Sequence, residues 1–138
     1  MRKPVLLDTC AAIWLMNGDQ MTQESRRAIQ TAQKQSLGVY VSPISAWEIG
    51  TLVKKRGLQL SMTVDAWFEL LLSLPGVRLA EMPPKVLIAA AYLPGIAPKD
   101  PADRIIVATA REYGLTVVTR DGELIPYAAN RVFDAVRC

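Results

Sequence analysis

The sequence predicts an α/β fold of three layers: a central, mainly parallel β-sheet of about four to five strands flanked by helices. Three observations predict it. Short apolar runs alternate with longer helical stretches along the chain. The runs lack the period-two alternation of half-exposed strands, as expected where both faces of a parallel sheet are covered. No linker, repeat or low-complexity stretch interrupts the pattern, so residues 1–138 read as a single domain of common size.

Val5-Leu6-Leu7 is the first buried strand. It ends at Asp8-Thr9, a helical stretch follows through Trp14 and Leu15, and Asn17-Gly18-Asp19 signals a turn. Thr22 to Gln35 is polar and helical, with Ala28, Ile29 and Ala32 as its apolar stripe. Val39-Tyr40-Val41 is the second strand. Ser42-Pro43 then supplies an N-cap and a proline at the first helical position, opening a helix through Ile44, Trp47, Ile49, Leu52 and Val53 that ends near Gly57. Val64 to Leu74 is helical and is stopped by Pro75-Gly76, and Val77 to Leu79 is a third strand. Pro83 and Pro84 open a short helix through Tyr92, closed by Pro94-Gly95. Asp100-Pro101-Ala102-Asp103 starts a helix to Tyr113, with Gly114 as its C-cap. Leu115 to Val118 is a buried strand, Thr119 to Tyr127 a loop with a short helical piece, and Arg131 to Asp134 a last strand.

Half of the residues are apolar (51%), enough to bury a core. The formal charge of +3 permits a polyanionic partner without demanding one. Cys10 and Cys138 provide neither a disulfide framework nor a zinc knuckle, which fits a reducing cytoplasm. The absence of histidine excludes Ser-His-Asp and Cys-His chemistry, His-based ribonuclease mechanisms and His-ligated zinc. Arg2 and Lys3 before an apolar run imitate a leader, but Asp8 interrupts it and no clean cleavage site follows. The longest apolar run, Val86 to Pro98, contains Pro94 and Gly95 and is too short to span a bilayer.

Ligands of open parallel sheets bind at the carboxyl ends of the strands. Asp8 directly follows the first strand, Asp121 follows Leu115–Val118, and Asp103 lies in the first turn of a helix that faces the same edge. Glu48 lies about one and a half turns into the helix leaving the second strand, between Trp47 and Ile49. Taken singly, Asp103 also reads as a helix-capping acid, Asp8 and Asp121 as turn residues, and Glu48 as a polar boundary. Taken together, converging carboxylates repel one another unless protonated or bound to a cation. An all-oxygen set without His or a Cys cluster favours Mg²⁺ or Mn²⁺, which activates water and steadies charge on a phosphate.

Four segments resemble the PIN-domain ribonucleases, and specifically the VapC-type toxins of toxin–antitoxin pairs. They are Leu6-Leu7-Asp8-Thr9 with Ala12 and Trp14-Leu15; Ser42-Pro43-Ile44-Ser45-Ala46-Trp47-Glu48-Ile49; Asp100-Pro101-Ala102-Asp103-Arg104-Ile105-Ile106-Val107-Ala108-Thr109-Ala110; and Val117-Val118-Thr119-Arg120-Asp121 with Leu124 and Tyr127. The resemblance covers nearly the whole chain. It implies a metal-dependent endoribonuclease with Asp8, Glu48, Asp103 and Asp121 as acidic quartet, Asp8 and Asp103 being the central ligands of Mg²⁺ (or Mn²⁺). Thr9 and Thr119 would orient these carboxylates. It also implies a product with a 5′-phosphate, a homodimer, and a VapB-type antitoxin that blocks the site and supplies any DNA binding. Cys10 departs from the Asn, Ser or His that many relatives carry after the Asp-Thr pair, and is read as a small packed hydrophobe.

Lys99, Arg104 and Arg120 flank the acids and are candidates for contact with RNA phosphates, or ordinary surface charge. Lys54-Lys55-Arg56 suits either phosphates or the helix C-terminal dipole. Trp14, Trp47, Trp67 and Phe68 read as core or interface residues, and the apolar stretch Ala66 to Leu74 as a dimer or antitoxin surface. The rival reading is a non-catalytic fold of the same family that binds RNA or protein; a missing acid would favour it. A haloacid-dehalogenase-type phosphatase would want a second Asp where Cys10 stands, and the acid pairs and late Lys of a receiver domain are lacking.

Overall fold

The computed structural model describes residues 3–138, so Arg2 of the leader-like start lies outside the described residues. Five strands and seven helices alternate among them. In chain order they are β1 (Val5–Leu7), α1 (Thr9–Asn17), α2 (Gln23–Lys34), β2 (Val39–Val41), α3 (Pro43–Lys54), α4 (Val64–Ser73), β3 (Val77–Leu79), α5 (Pro84–Ala91), α6 (Pro101–Tyr113), β4 (Thr116–Thr119), α7 (Leu124–Ala128) and β5 (Asp134–Arg137). The strands form one sheet in the order β3-β2-β1-β4-β5. Every pairing is parallel, with Leu6 opposite both Tyr40 and Val117.

Local chemistry accounts for the element ends. Thr22, Ser42, Thr63 and Asp100 accept backbone N–H groups as N-caps of α2, α3, α4 and α6. Proline at the start of α3 and α6 fixes φ where its missing N–H would have no partner. Gly18 and Gly114 close α1 and α6 at φ 69° and 65°, left-handed values that favour glycine.

The middle strand β1 is buried along its whole length, which is why Val5-Leu6-Leu7 carries no alternation. Val5 and Leu7 pack with Ala11, Ile29, Ile49, Trp67 and Leu71 on one face. Leu6 and Val117 pack with Ile106, Val107, Ala110, Leu124 and Tyr127 on the other. Helices therefore cover both faces, as expected of the three-layer class.

Several expectations are corrected. β4 begins and ends one residue later than predicted. The last strand is Asp134–Arg137, not Arg131–Asp134, because Arg131 turns the chain at φ 62°. The helix expected to end near Gly57 stops at Lys54, and Arg56 takes the positive φ of 63°. Of the residues read as core or interface, Trp47 is 65% exposed, which removes the core reading and leaves the interface one, whereas Trp67 is buried. Cys10 is exposed rather than packed, and Cys138 is buried. Among the described residues no helix is long and apolar enough to cross a membrane.

Candidate active site

The carboxyl edge of the sheet collects the predicted acids. Asp8 leaves the central strand, where β2 and β4 diverge to either side. Such a point opens a crevice between the connections that leave neighbouring strands in opposite directions.

Asp8 is buried at 6% exposure and caps α1 through its Oδ1, which accepts the Ala11 N–H at 2.8 Å. Its Oδ2 accepts a hydrogen bond from Thr119 Oγ1. Thr119 Oγ1 in turn accepts the Asp121 N–H at 3.0 Å, so one buried hydroxyl connects the acids that follow β1 and β4. Asp121 Oδ1 accepts the N–H groups of Glu123 (2.7 Å) and Leu124 (3.1 Å), starting α7. The turn role and the site position therefore coincide in Asp121. Glu48 Oε1 accepts from Thr9 Oγ1, and Thr9 Oγ1 lies 2.9 Å from Ser45 Oγ. The hydroxyls expected to orient carboxylates, Thr9 and Thr119, contact Glu48 and Asp8 respectively.

Electrostatics tie the set together. Asp103 is pushed up to about 7, first by burial and then by Asp100, Asp121, Glu48 and Asp8, with no hydrogen bond among the described residues to offset it. Asp8 is raised above the usual carboxylate range by burial, although Thr119 and Ala11 oppose the shift. Burial also raises Glu48, with Asp100 and Asp8 adding to it and Thr9 opposing. The Cys10 thiol, on an exposed residue but partly desolvated itself, is pushed up to about 11 by that desolvation and by Asp8, Glu48, Asp103 and Asp121. It is thus held as the neutral thiol, a poor nucleophile and metal ligand.

The acids share one field without closing on one point. Among the described residues, no group of three or more Asp, Glu or Cys side chains is placed to hold a metal ion as it stands. The donor chemistry nevertheless fits a hard divalent cation: the donors are carboxylates, and their mutual repulsion is what such an ion relieves. Cavities of about 370 to 500 Å³ elsewhere on the surface are lined by residues other than these four acids.

The basic residues differ more from expectation. Arg104 donates to the carbonyls of Ala90 (2.8 Å), Pro98 (2.9 Å) and Ala91 (3.1 Å). Arg120 donates to the carbonyls of Cys138 (3.1 Å) and Gln20 (3.3 Å), and its guanidinium lies 3.6 Å from the centre of the Trp14 ring. Both are candidates for RNA contact, and both bind the protein's own backbone, Arg104 half-buried and Arg120 exposed. Lys99 is exposed and donates to no side chain or carbonyl among the described residues. The sequence reasoning missed two members of the site. Ser45, buried one turn before Glu48, touches Thr9, and its spacing of three residues on a helix was the available signal. Asp100, read only as an N-cap, also adds its charge to the field on Asp103 and Glu48.

The PIN domain family model matches residues 5–130. Ribonuclease VapC22 of Mycobacterium tuberculosis (strain ATCC 25618 / H37Rv) is 36% identical over 121 residues, covering 87% of this chain and 88% of that protein. Two solved structures share the fold. VapBC2 from Rickettsia felis, bound to a DNA fragment from its promoter, superposes with a TM-score of 0.68 at 15% identity, covering 96% of this chain and 97% of that one. A toxin–antitoxin complex from Klebsiella pneumoniae gives 0.57 at 21% identity, covering 87% and 89%.

Proposed function

The chain belongs to the PIN domain family, and from that premise we propose that it is a divalent-metal-dependent endoribonuclease acting as the toxin of a toxin–antitoxin pair. One observation carries the reading: Asp8, Glu48, Asp103 and Asp121 come from four separate elements to share one electrostatic field at the carboxyl edge. The similarity to a protein named a ribonuclease supports the choice of RNA. We take residues 1–138 as one such domain.

Asp8 and Asp103 would hold Mg²⁺ or Mn²⁺, with Glu48 and Asp121 completing the set. When bound, the cation supplies positive charge that lowers the pKa of water and steadies the charge developing on a phosphate. The protein's part is positioning. Thr119 fixes the rotamer of Asp8 through Oδ2, and the Ala11 N–H holds Oδ1. Each oxygen keeps a further lone pair for a ligand. Thr9, backed by Ser45, holds Glu48 through Oε1. Asp103 carries no such tie among the described residues, and burial together with the neighbouring acids raises its pKa to about 7. Lys99 is the exposed cation nearest in sequence to Asp100 and Asp103 and could meet the phosphates of a polymer.

Partners follow from the same premise: RNA as substrate, a VapB-type antitoxin and a second copy of this chain. Exposed Trp47, Leu70 and Tyr92 support contact with other chains. A cytoplasmic site of action accords with an antitoxin as partner. The alternative is a non-catalytic PIN-fold module that binds RNA or protein; a missing acid would favour it, and all four acids are present.

Cleavage of total cellular RNA by purified protein in Mg²⁺, Mn²⁺ or EDTA, beside Asp8→Asn, separates the two. The nuclease reading expects discrete fragments bearing 5′-phosphates, absent with EDTA and reduced at least about 100-fold in the variant. A 2′,3′-cyclic phosphate product, or cleavage indifferent to both EDTA and the variant, overturns it.

A further inference from the structure

Arg104 follows Asp103 in the first turn of α6 and is half-buried. Its guanidinium spans three carbonyls: Ala90 and Ala91 at the end of α5, and Pro98 in the segment that leads into α6. The last carbonyls of a helix have no partner within it and carry the negative end of its dipole. A planar guanidinium holds its five N–H donors in a fixed fork, so Nε, Nη1 and Nη2 each reach a different carbonyl, whereas an ammonium offers three donors from a single point. These bonds cross from α6 to α5, so they fix where the first turn of α6 sits and how it is rotated.

That turn needs holding. It carries Asp103 into a field of like charges from Asp100, Asp121, Glu48 and Asp8, which drive it outward. Its side-chain cap, the Asp103 N–H to Asp100 Oδ2, is long at 3.3 Å, and the backbone bond from the Arg104 N–H to the Asp100 carbonyl (3.1 Å) lies within the turn itself and does not tie it to a neighbour. We propose that Arg104 is a positioning residue: its three-carbonyl clamp onto α5 and Pro98 holds Asp103 within the acid cluster. The proposal rests on the metal-nuclease reading, and it replaces a phosphate contact at Arg104 with a role that acts through Asp103.

The two roles differ in what they move. A phosphate contact is rescued by lysine and changes the salt dependence of RNA binding. A clamp is not rescued by lysine and changes metal affinity in the absence of RNA. The test is titration calorimetry of Mn²⁺ into wild type, Arg104→Ala, Arg104→Lys and Tyr127→Phe, with folding checked by circular dichroism. RNA binding is followed against salt for the same set. Tyr127→Phe removes the hydroxyl bond to Pro94 in the same connection and keeps the ring that packs against Ile106 and Val107 of α6.

Both Arg104 variants are expected to bind Mn²⁺ about 10-fold more weakly, Tyr127→Phe to stay within about twofold, and the salt slopes to match wild type. Should Arg104→Ala fail to fold, Arg104→Lys decides. The proposal is overturned by wild-type Mn²⁺ affinity in Arg104→Lys, by an equal loss in Tyr127→Phe, by a salt slope that falls by about one, or by a wild type that binds no Mn²⁺. A wild type that cuts no RNA while Mn²⁺ binding follows the expected pattern removes the nuclease reading and leaves the clamp.

Discussion

Thr119 does two jobs with one oxygen: it donates to Asp8 and accepts the Asp121 N–H. Valine matches its shape and removes both bonds, leaving a buried carboxylate oxygen and an N–H without their partner. Thr119→Val is expected to lower metal affinity and cleavage about 10- to 100-fold, while Thr119→Ser keeps most of both. Cleavage rates against Mn²⁺ concentration read the outcome, and equal rates for valine and threonine would remove the orienting role. Arg120 shows how context overrides composition. It stacks on Trp14 and caps two carbonyls, so its charge is used within the fold although its position beside Asp121 suggested RNA.

Among the elements, α3 and α6 carry Glu48 and Asp103; α3 contains a glycine and α6 is closed by one, and each tests the local geometry. Gly50 lies inside α3, and a methyl group there would meet nothing within 4 Å. Gly50→Ala is expected to stabilise by about 0.5–1 kcal/mol, because alanine loses less backbone freedom on entering a helix. Gly114 ends α6 at φ 65°, where open space does not help an L side chain. Gly114→Ala is expected to cost about 1 kcal/mol. Melting temperatures should separate the two variants by several degrees, at roughly 4 °C per kcal/mol for a domain of this size. A shift of the same sign in both would mean that one of the helix ends is not as described.

At the scale of the whole molecule, the acidic edge opposes the folding that creates it. In the unfolded chain Asp103 titrates near its ordinary value of 3.8, whereas burial and neighbouring acids raise it to about 7 in the fold. The folded state therefore holds the proton more tightly. The resulting stability is complete below about pH 4 and is lost as pH rises to about 7. Asp8 and Glu48 shift in the same direction. Metal-free protein is expected to lose denaturant resistance across that window, and Asp103→Asn to flatten the loss and raise stability at pH 7.5 by about 1 kcal/mol. A steeper loss in Asp103→Asn would contradict the repulsion. Saturating Mg²⁺ at the same pH should stabilise wild type, by about 2.7 kcal/mol at 100 times its Kd, and leave Asp8→Asn unmoved.

The order and type of the elements were legible in the sequence because they arise from local causes: unbroken apolar runs for buried strands, Ser42-Pro43 and Asp100-Pro101 for helix starts, glycine for helix ends. The acidic quartet was legible for a related reason. Strand ends in a parallel sheet point to one edge, so Asp8 and Asp121, just beyond β1 and β4, share it whatever the detailed packing, while Glu48 and Asp103 reach their field from inside α3 and α6. Tertiary structure decided the rest. The exposure of Trp47, the burial of Cys138 and the later start of β5 depend on which neighbours reach those positions, and apolar patterning is silent on that. The partners of Ser45, Arg104 and Arg120 lie 36, 14 and 18 residues away along the chain, distances at which only the folded backbone sets who meets whom. The sequence by itself determined which charges gather at the edge; the tertiary structure alone decided what holds each of them there, because hydrogen bonds between distant segments depend on backbone placement to within a few tenths of an ångström.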